Sequence, residues 1–296
     1  MKILVNDNIS DKGIEILEDQ GYELTQHHYE KEELMDVLPD YDAIIIRSAT
    51  KVREDLIDKS NLKVIARAGT GIDNIDHEYA RSKGIQVLNT PGANSASVSE
   101  LVFAHMFALA RYIPQANITM RKGEWNKKQY RGIELAGKTL GIMGFGKIGE
   151  ITAKMALGFG MNVIAYDIAD IDTDLDVEFK SKEEVLKESD FLTLHVPSMD
   201  EPFITAEDMK TMKNSAYLVN CARGGVVDED DLLAALDNGD IAGAGVDVYL
   251  DEPTDNEDLV NHKKVSVTPH IGAATYEAQD RVGIQIAEKL IDALEN

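Results

Sequence analysis

The sequence contains a single cysteine, Cys221, in 296 residues. One thiol can form neither an internal disulfide nor a cluster of thiolate metal ligands. The longest apolar run, Leu101–Ala110, is interrupted by His105 and is much shorter than the roughly 20 residues that cross a bilayer. The N-terminus MKILVND is typical of a strand and lacks the basic and apolar regions of a signal peptide. These absences predict a soluble, cytoplasmic protein.

Basic residues are also scarce. Lysine and arginine number 30 against 53 acidic residues, for a net charge of −23. A surface of this charge repels nucleic acid, so we expect no nucleic-acid partner. Because it also repels small anions, any anion site must be a local basic exception. His27 and His28 lie among glutamates without metal-ligand spacing, and we expect no metal site.

Apolar runs of strand length alternate with helical patterns along the chain, which predicts an α/β fold with parallel sheets covered on both faces. The length suits two domains. The helix predicted at Ser97–Tyr112 leads into the second domain, and the last helix, Thr275–Leu294, packs back on the first. The predicted strands are Lys2–Asn6, Ala43–Arg47, Lys63–Ala68, Gln86–Asn89, Phe191–His195, Ala216–Asn220, Gly243–Val248 and Lys264–Thr268. Ser10 is predicted to cap a helix that runs to Gly21, and a further helix spans Asp76–Lys83.

The segment Thr139–Asp167 is the most specific signal in the sequence. An apolar run precedes Gly144-x-Gly146-x-x-Gly149, a helical pattern follows, and a second apolar run ends at Asp167. In this context the glycines predict a tight turn, close approach of a pyrophosphate, and close packing of helix on strand. The alternative is an ordinary glycine turn of an α/β protein.

Asp167 lies about 20 residues beyond the glycines, where a carboxylate accepts hydrogen bonds from the ribose hydroxyls of a dinucleotide. The same carboxylate repels a 2′-phosphate. The sequence therefore predicts NAD rather than NADP as the cofactor.

Three residues with catalytic potential follow predicted strands in the second half: Arg223, Glu252 and His270. A guanidinium binds a substrate carboxylate bidentately. An imidazole accepts a hydroxyl proton near neutral pH, and a carboxylate orients it. This set suits hydride transfer from a 2-hydroxy acid. Taken singly, each also has a structural interpretation: a buried loop histidine, a solvated turn acid and a surface ion pair.

Several segments together resemble the D-2-hydroxyacid dehydrogenases across essentially the whole chain. They are RAGTGIDNID (67–76), GFGKIG (144–149), NCARGGVVDEDDL (220–232), GVDVYLDEP (245–253) and PHIGAAT (269–275). RSATKV (47–52), NTPGANS (89–95) and KGEWNKKQYRGIELAGKTLGI (122–142) are most similar to the phosphoglycerate dehydrogenase branch. The resemblance implies a Rossmann cofactor domain, 96–275, inserted in a flavodoxin-like substrate domain, 1–95 with 276–296.

The resemblance also implies roles for individual positions. Arg223, Glu252 and His270 match the catalytic residues. Arg47, Arg67, Gly69 and Lys127 match substrate-side positions. The positions that match cofactor contacts are Thr70, Gly144, Gly146, Lys147, Ile148, Gly149, Asp167, Val196, Cys221, Ala222, Arg223, Asp247, His270, Gly272 and Ala273.

Two departures from the branch bear on substrate and regulation. Lys127 stands where related enzymes often carry arginine, so the charge is kept and the bidentate fork is lost. It lies in a basic cluster, Arg121, Lys122, Lys127, Lys128 and Arg131, whose alternative interpretation is a solvated face. The sequence stops at Asn296, so we expect no C-terminal serine-sensing domain. Family members dimerise through the region from Ser99 to Met120, which implies a homodimer.

The leading hypothesis is NAD-dependent oxidation of 3-phospho-D-glycerate to 3-phosphohydroxypyruvate, the first step of serine biosynthesis. A glyoxylate or hydroxypyruvate reductase, or another D-2-hydroxyacid reductase, is the alternative of the same class. An NAD(H)-sensing, corepressor-like binding protein is the alternative of a different class.

Overall fold

The computed structural model describes residues 1–295 in two compact units; Asn296, which the predicted first domain includes, lies outside the described residues. One unit combines Met1–Asn94 with residues 273–295, and the other is Ser95–Gly272. No helix in the described part of the chain is both long and apolar enough to cross a bilayer.

The first unit holds a parallel sheet in the order β2-β1-β3-β4-β5, the flavodoxin-like order. All four residues of its central strand, Ala43–Ile46, are buried because helices cover both faces. Its strands are β1 (Lys2–Val5), β2 (Glu23–Gln26), β3 (Ala43–Ile46), β4 (Val64–Arg67) and β5 (Gln86–Asn89). Its first helices are α1 (Asp11–Asp19), α2 (Lys31–Val37), α3 (Glu54–Lys59) and α4 (His77–Ser82), and Leu38–Asp40 forms a short 3-10 helix.

The second unit holds a parallel sheet in the order β12-β11-β10-β9-β6-β7-β8. The chain order reverses between β6 and β9, which makes the sheet doubly wound and places the ligand site of such folds at that point. Its strands are β6 (Thr139–Met143), β7 (Asn162–Tyr166), β8 (Glu178–Phe179), β9 (Phe191–Leu194), β10 (Tyr217–Asn220), β11 (Gly243–Val246) and β12 (Val265–Val267). Its helices are α5 (Ser95–Arg111), α6 (Ile113–Arg121), α7 (Lys147–Gly158), α8 (Lys182–Glu188), α9 (Ala206–Thr211), α10 (Glu229–Asn238) and α11 (Glu257–Val260). The predicted fold class is confirmed.

The last helix, α12 (Tyr276–Glu295), belongs to the first unit and packs on α1. Its apolar face joins residues of β1 and α1 in one buried cluster. The two helices approach closely at glycines, since a Cβ on Gly13 would lie 2.6 Å from the carbonyl oxygen of Gly283.

The prediction that the Ser10 side chain caps α1 is wrong. Ser10 does flank α1, but its side chain accepts no hydrogen bond from the first turn. Its hydroxyl is instead buried against Gly283. The packing of α1 on α12 therefore directs this side chain away from the helix end.

Candidate active site

The glycine motif forms the turn between β6 and α7. Gly144 has φ +91°, and a Cβ there would lie 2.6 Å from the carbonyl oxygen of His195, in the segment that follows β9. A Cβ on Gly149 would overlap the carbonyl of Gly144. Both glycines are therefore required by the surrounding protein, at the point where β6 and β9 diverge.

Gly146 differs from the other two glycines because a Cβ there would meet no atom within 4 Å. It is exposed and precedes α7, whose first N–H groups face outward at the positive end of the helix dipole. Lys147 is also exposed, and Ile148 is half-buried. Open space above a helix N-terminus is what a pyrophosphate requires, so these residues fit a bound dinucleotide.

Asp167 follows β7 and is tied to the glycine turn. Its Oδ2 accepts a hydrogen bond from the Phe145 N–H at 2.6 Å, and its Oδ1 accepts one from the Ala169 N–H at 3.0 Å. Each carboxylate oxygen retains a further lone pair for a ribose hydroxyl. The carboxylate is thus held in place by the turn that would carry the pyrophosphate.

Glu252 and His270 meet directly. His270 Nδ1 lies 2.6 Å from Glu252 Oε2, and the other carboxylate oxygen accepts a hydrogen bond from the Tyr249 N–H at 3.1 Å. Because Nδ1 donates to the carboxylate, Nε2 carries the lone pair that can accept a proton. Both side chains are more than a third exposed. The pair therefore has the form of a general base with its orienting acid.

Arg223 follows β10 in a loop that the buried side chain of Asn220 holds. Asn220 donates to the Arg223 carbonyl at 2.9 Å and accepts from the Ala222 N–H at 3.0 Å. The next residue, Gly224, lies so close to the Tyr249 carbonyl that a Cβ would overlap it. The Arg223 loop is therefore seated against the segment that ends in Glu252.

Cys221 lies in the same loop, and its thiol is buried. Burial raises the pKa of this thiol well above its usual range, so the sulfur stays protonated and unreactive. Val196, beyond β9, lies beside the glycine turn, since a Cβ on Gly144 would be 3.2 Å from its Cγ1. These positions can face a cofactor through backbone or apolar atoms only.

Asp247 follows β11 and is buried. Its carboxylate accepts three hydrogen bonds: from the Ile271 N–H at 2.8 Å, the Gly272 N–H at 2.9 Å, and the Thr268 hydroxyl at 2.6 Å. The Gly272 carbonyl in turn accepts from the Ser97 hydroxyl at 2.7 Å. Asp247 thus holds the loop that carries His270, whereas the sequence alone pointed only to a cofactor contact.

The backbone of the predicted substrate residue Arg47 is held by side chains of the first unit. The Arg47 N–H donates to Asp7 Oδ2 at 2.6 Å, and the Arg47 carbonyl accepts from the Asn74 side chain at 2.6 Å. The guanidinium of Arg67 lies directly against Gly69, where a Cβ would overlap it.

Thr70, in the same unit, was predicted to contact the cofactor. Its hydroxyl donates to Asn94 Oδ1 at 2.8 Å, and Asn89 donates to its carbonyl at 2.6 Å. Ala273 begins the segment that returns to this unit.

Lys127 and the other members of its basic cluster are exposed on the segment from the end of α6 to Arg131 in the second unit. Trp125 in the same segment is 79% exposed. The structure leaves these charges accessible to a ligand.

Sequence reasoning missed Asn220, Tyr249 and Thr268, which hold the three catalytic candidates. Burial raises the pKa of Tyr249 to about 12, so its hydroxyl stays protonated and donates to the Thr268 carbonyl at 3.0 Å. The one available signal was position, since each of the three lies within four residues of a catalytic candidate. The side chains of Asn220 and Tyr249 bond to the backbone and that of Thr268 bonds to Asp247, which no residue pattern reveals.

A model of the D-isomer specific 2-hydroxyacid dehydrogenase NAD-binding domain matches residues 103–272, more than half of the chain. The chain belongs to this dehydrogenase family. The second unit is its NAD-binding domain, which confirms the predicted cofactor, and the protein is an oxidoreductase of this class.

Three relatives illustrate the similarity of this dehydrogenase to known members. It is 46% identical to the hydroxypyruvate reductase of Thermotoga maritima, over 99% of this chain and 98% of the relative. It is 45% identical to the D-3-phosphoglycerate dehydrogenase of Methanocaldococcus jannaschii, over 98% of this chain but 57% of the relative. The solved D-lactate dehydrogenase of Aquifex aeolicus, complexed with NAD and lactic acid, is 29% identical with a TM-score of 0.88, covering 100% of this chain and 96% of that one.

Proposed function

We propose that this dehydrogenase oxidises 3-phospho-D-glycerate to 3-phosphohydroxypyruvate with NAD. The observation that carries the reaction type is the 2.6 Å contact between Glu252 Oε2 and His270 Nδ1. It orients an imidazole beside strand ends of the sheet that also presents the glycine turn. The family provides the redox chemistry, and the pair provides the proton transfer.

Arg223, His270 and Glu252 take separate roles in this proposal. The Arg223 guanidinium binds the substrate carboxylate and orients the neighbouring C2 hydroxyl. His270 Nε2 removes the hydroxyl proton, and the O–H electron pair becomes the second C–O bond of the ketone. Glu252 stabilises the imidazolium that results. NAD, when bound, supplies the acceptor for the C2 hydride; reduction is the reverse sequence.

The substrate assignment is supported by the basic cluster around Lys127. A protein with a net charge of −23 requires local positive charge to bind a doubly charged phosphate. Lys127 and its neighbours supply that charge on an exposed segment. The phosphoglycerate dehydrogenase of M. jannaschii, at 45% identity, is in accord with this assignment.

Hydroxypyruvate reduction is the second candidate. The relative that carries this name matches this chain along 98% of its own length, whereas the phosphoglycerate dehydrogenase is matched along 57%. In this case the 2-keto acid is unphosphorylated, and the basic cluster has no role in binding it.

The deciding experiment measures NADH oxidation with 3-phosphohydroxypyruvate, hydroxypyruvate, glyoxylate and pyruvate, and repeats it with NADPH. We expect the highest kcat/KM with the phosphorylated acid and NADH. Lys127→Ala should then raise KM by up to about fivefold for that acid and leave hydroxypyruvate nearly unchanged, because it removes one exposed charge contact. Lys210→Ala, an exposed lysine of α9, is the matched control. A preference for hydroxypyruvate in the wild-type protein would overturn the substrate assignment.

We also propose that the protein forms a homodimer through the region of α6. Large apolar side chains are exposed along one continuous stretch there: Tyr112, Ile113, Ile118, Met120 and Trp125. A concentration of large exposed apolar side chains in one segment favours a protein–protein contact. A second copy of the chain would cover them.

A further inference from the structure

Thr268, two residues before His270, is held at each of its polar atoms. Its N–H donates to the Val246 carbonyl at 3.0 Å, and its carbonyl accepts from the Tyr249 hydroxyl at 3.0 Å. Its hydroxyl donates to Asp247 Oδ1 at 2.6 Å. Thr268 is therefore the fixed point from which the His270 loop departs.

The Thr268 hydroxyl has a second partner, His105 of α5, at 3.0 Å from Nε2. A hydroxyl has one proton, and Thr268 already donates it to Asp247, so it must accept from the N–H at His105 Nε2. The imidazole is buried, and burial lowers the pKa of His105, so the ring is neutral. Its Nδ1 therefore accepts from the Ser266 hydroxyl, 2.9 Å away.

The four side chains form one directed chain of hydrogen bonds, from Ser266 through His105 and Thr268 to the carboxylate of Asp247. Each donor has one proton and each acceptor receives it, so no polar group in the chain is left unsatisfied. Gly245 of β11 makes room for it, since a Cβ there would lie 2.7 Å from the His105 Cβ. The chain of hydrogen bonds is therefore an integral part of the interior of the second unit.

Asp247 extends this chain to the other side of His270 through the Ile271 and Gly272 N–H groups. Thr268 before the histidine and two residues after it are thus fixed to one carboxylate. Between them His270 has φ +51°, a left-handed conformation that costs a non-glycine residue about 1 kcal/mol or more. Contacts on both sides of the residue are what can maintain that conformation.

We propose that His105 and Thr268 are positioning residues for catalysis: through Asp247 they hold the 268–272 loop in the conformation that brings the His270 imidazole to Glu252. The inference rests on the proposed role of His270 as the base. His105 and Thr268 act through Asp247 and take no part in the proton transfer themselves.

The first test compares Thr268→Val with Thr268→Ser. Valine keeps the shape and removes the hydroxyl, whereas serine keeps the hydroxyl. We expect Thr268→Val to lower kcat by roughly 10- to 100-fold with KM within about twofold, because a displaced base weakens the transition state more than substrate binding. Thr268→Ser should restore most of the rate.

Thr193→Val is the matched control. Thr193 is a buried threonine of β9, in the sheet whose last strand precedes Thr268, and its hydroxyl also lies near a histidine, 3.3 Å from His195 Nε2. It makes no described contact with the 268–272 loop. We expect Thr193→Val to alter the melting temperature without changing kcat by more than about twofold.

His105 is tested by a second pair of variants, which covers the case of poor folding at position 268. His105→Gln keeps an N–H donor at the distance of Nε2, and His105→Leu removes it. We expect His105→Leu to lower kcat as Thr268→Val does, and His105→Gln to recover most of it. The two losses should not add, since both variants break the same chain.

Hydrogen exchange gives a readout that does not depend on turnover. In the protein without cofactor, the amides of Ile271 and Gly272 should exchange about tenfold faster in Thr268→Val than in wild type, and unchanged in Thr193→Val. Unchanged exchange, or equal kcat losses in Thr268→Val and Thr193→Val, would overturn the inference. If the wild-type protein turns over none of the four acids, the proposed function is rejected. Faster exchange of Ile271 and Gly272 in Thr268→Val would then still show that Thr268 helps to hold the 268–272 loop.

Discussion

Single residues define the candidate chemistry, and the Glu252–His270 pair defines it most directly. The carboxylate has two tasks, because Oε2 meets the imidazole while Oε1 accepts the Tyr249 N–H. The second contact fixes the carboxylate independently of the histidine. An orienting acid held in this way limits the imidazole to one tautomer.

Replacing Glu252 by Gln should lower kcat by roughly 10²- to 10⁴-fold, because the imidazolium formed on proton transfer loses its counter-charge. NADH affinity, measured by fluorescence titration, should change less than about threefold. Asp251→Asn, a neighbouring exposed acid, serves as the control and should retain full activity. Near-normal turnover in Glu252→Gln would remove the acid from the mechanism.

The catalytic candidates could be predicted from the sequence, but the residues that hold them could not. Arg223, Glu252 and His270 each follow an apolar strand pattern, so one rule located all three. His105 stands more than 160 residues from Thr268 in the sequence, inside an apolar helix. Only the packing of α5 on β11 and β12 brings the two together, and no local pattern records that packing.

At the scale of the elements, the glycines at the start of α7 have two different roles. Gly149 is enclosed by protein atoms, and Gly146 faces open space. The first serves the fold, whereas the second leaves room for a ligand. Gly158, at the far end of the same helix, also faces open space and so provides a reference.

Gly146→Val should weaken NADH binding by at least about tenfold while the melting temperature stays within a few degrees of wild type, because its side chain occupies only the space of a ligand. Gly149→Val should lower the melting temperature by several degrees, because it overlaps a backbone carbonyl. Gly158→Val should leave NADH binding unchanged. Calorimetry of binding and of unfolding checks both, and a strongly destabilised Gly146→Val would contradict the assignment.

Strand patterns predicted buried elements well and exposed ones poorly. Most of the predicted strands extend one or two residues beyond the observed ones. The strand β2, with the sequence ELTQ, was not predicted because its side chains are partly exposed and form no apolar run. The helix predicted at Ser97–Tyr112 corresponds to α5, and a second helix, α6, follows it directly. Tyr112 adopts φ +54°, and α6 begins beside Pro114, which cannot continue the hydrogen bonding of α5.

At the scale of the whole molecule, the strong negative charge makes an exposed apolar surface important for self-association. Like-charged copies repel one another, so self-association requires a patch whose burial outweighs that repulsion. The stretch from Tyr112 to Trp125 offers such a surface.

We expect the protein to elute as a dimer in light-scattering chromatography at moderate salt. The double variant Ile118→Asp, Met120→Asp should shift the protein to monomer, because it places charge in the surface that the dimer would bury. Ile168 lies outside this stretch, and its side chain is 93% exposed. The Ile168→Asp variant should therefore remain dimeric. A monomeric wild-type protein would rule out the proposed interface.

The first unit is built from two distant segments of the chain, and this has a consequence for biosynthesis. On the ribosome, Ser95–Gly272 emerges as one uninterrupted stretch and can complete its own fold. The first 94 residues are made earlier, yet their core requires Val282, Ile286 and Leu290 of α12. The N-terminal segment must therefore wait, with apolar surface uncovered, until α12 has been translated.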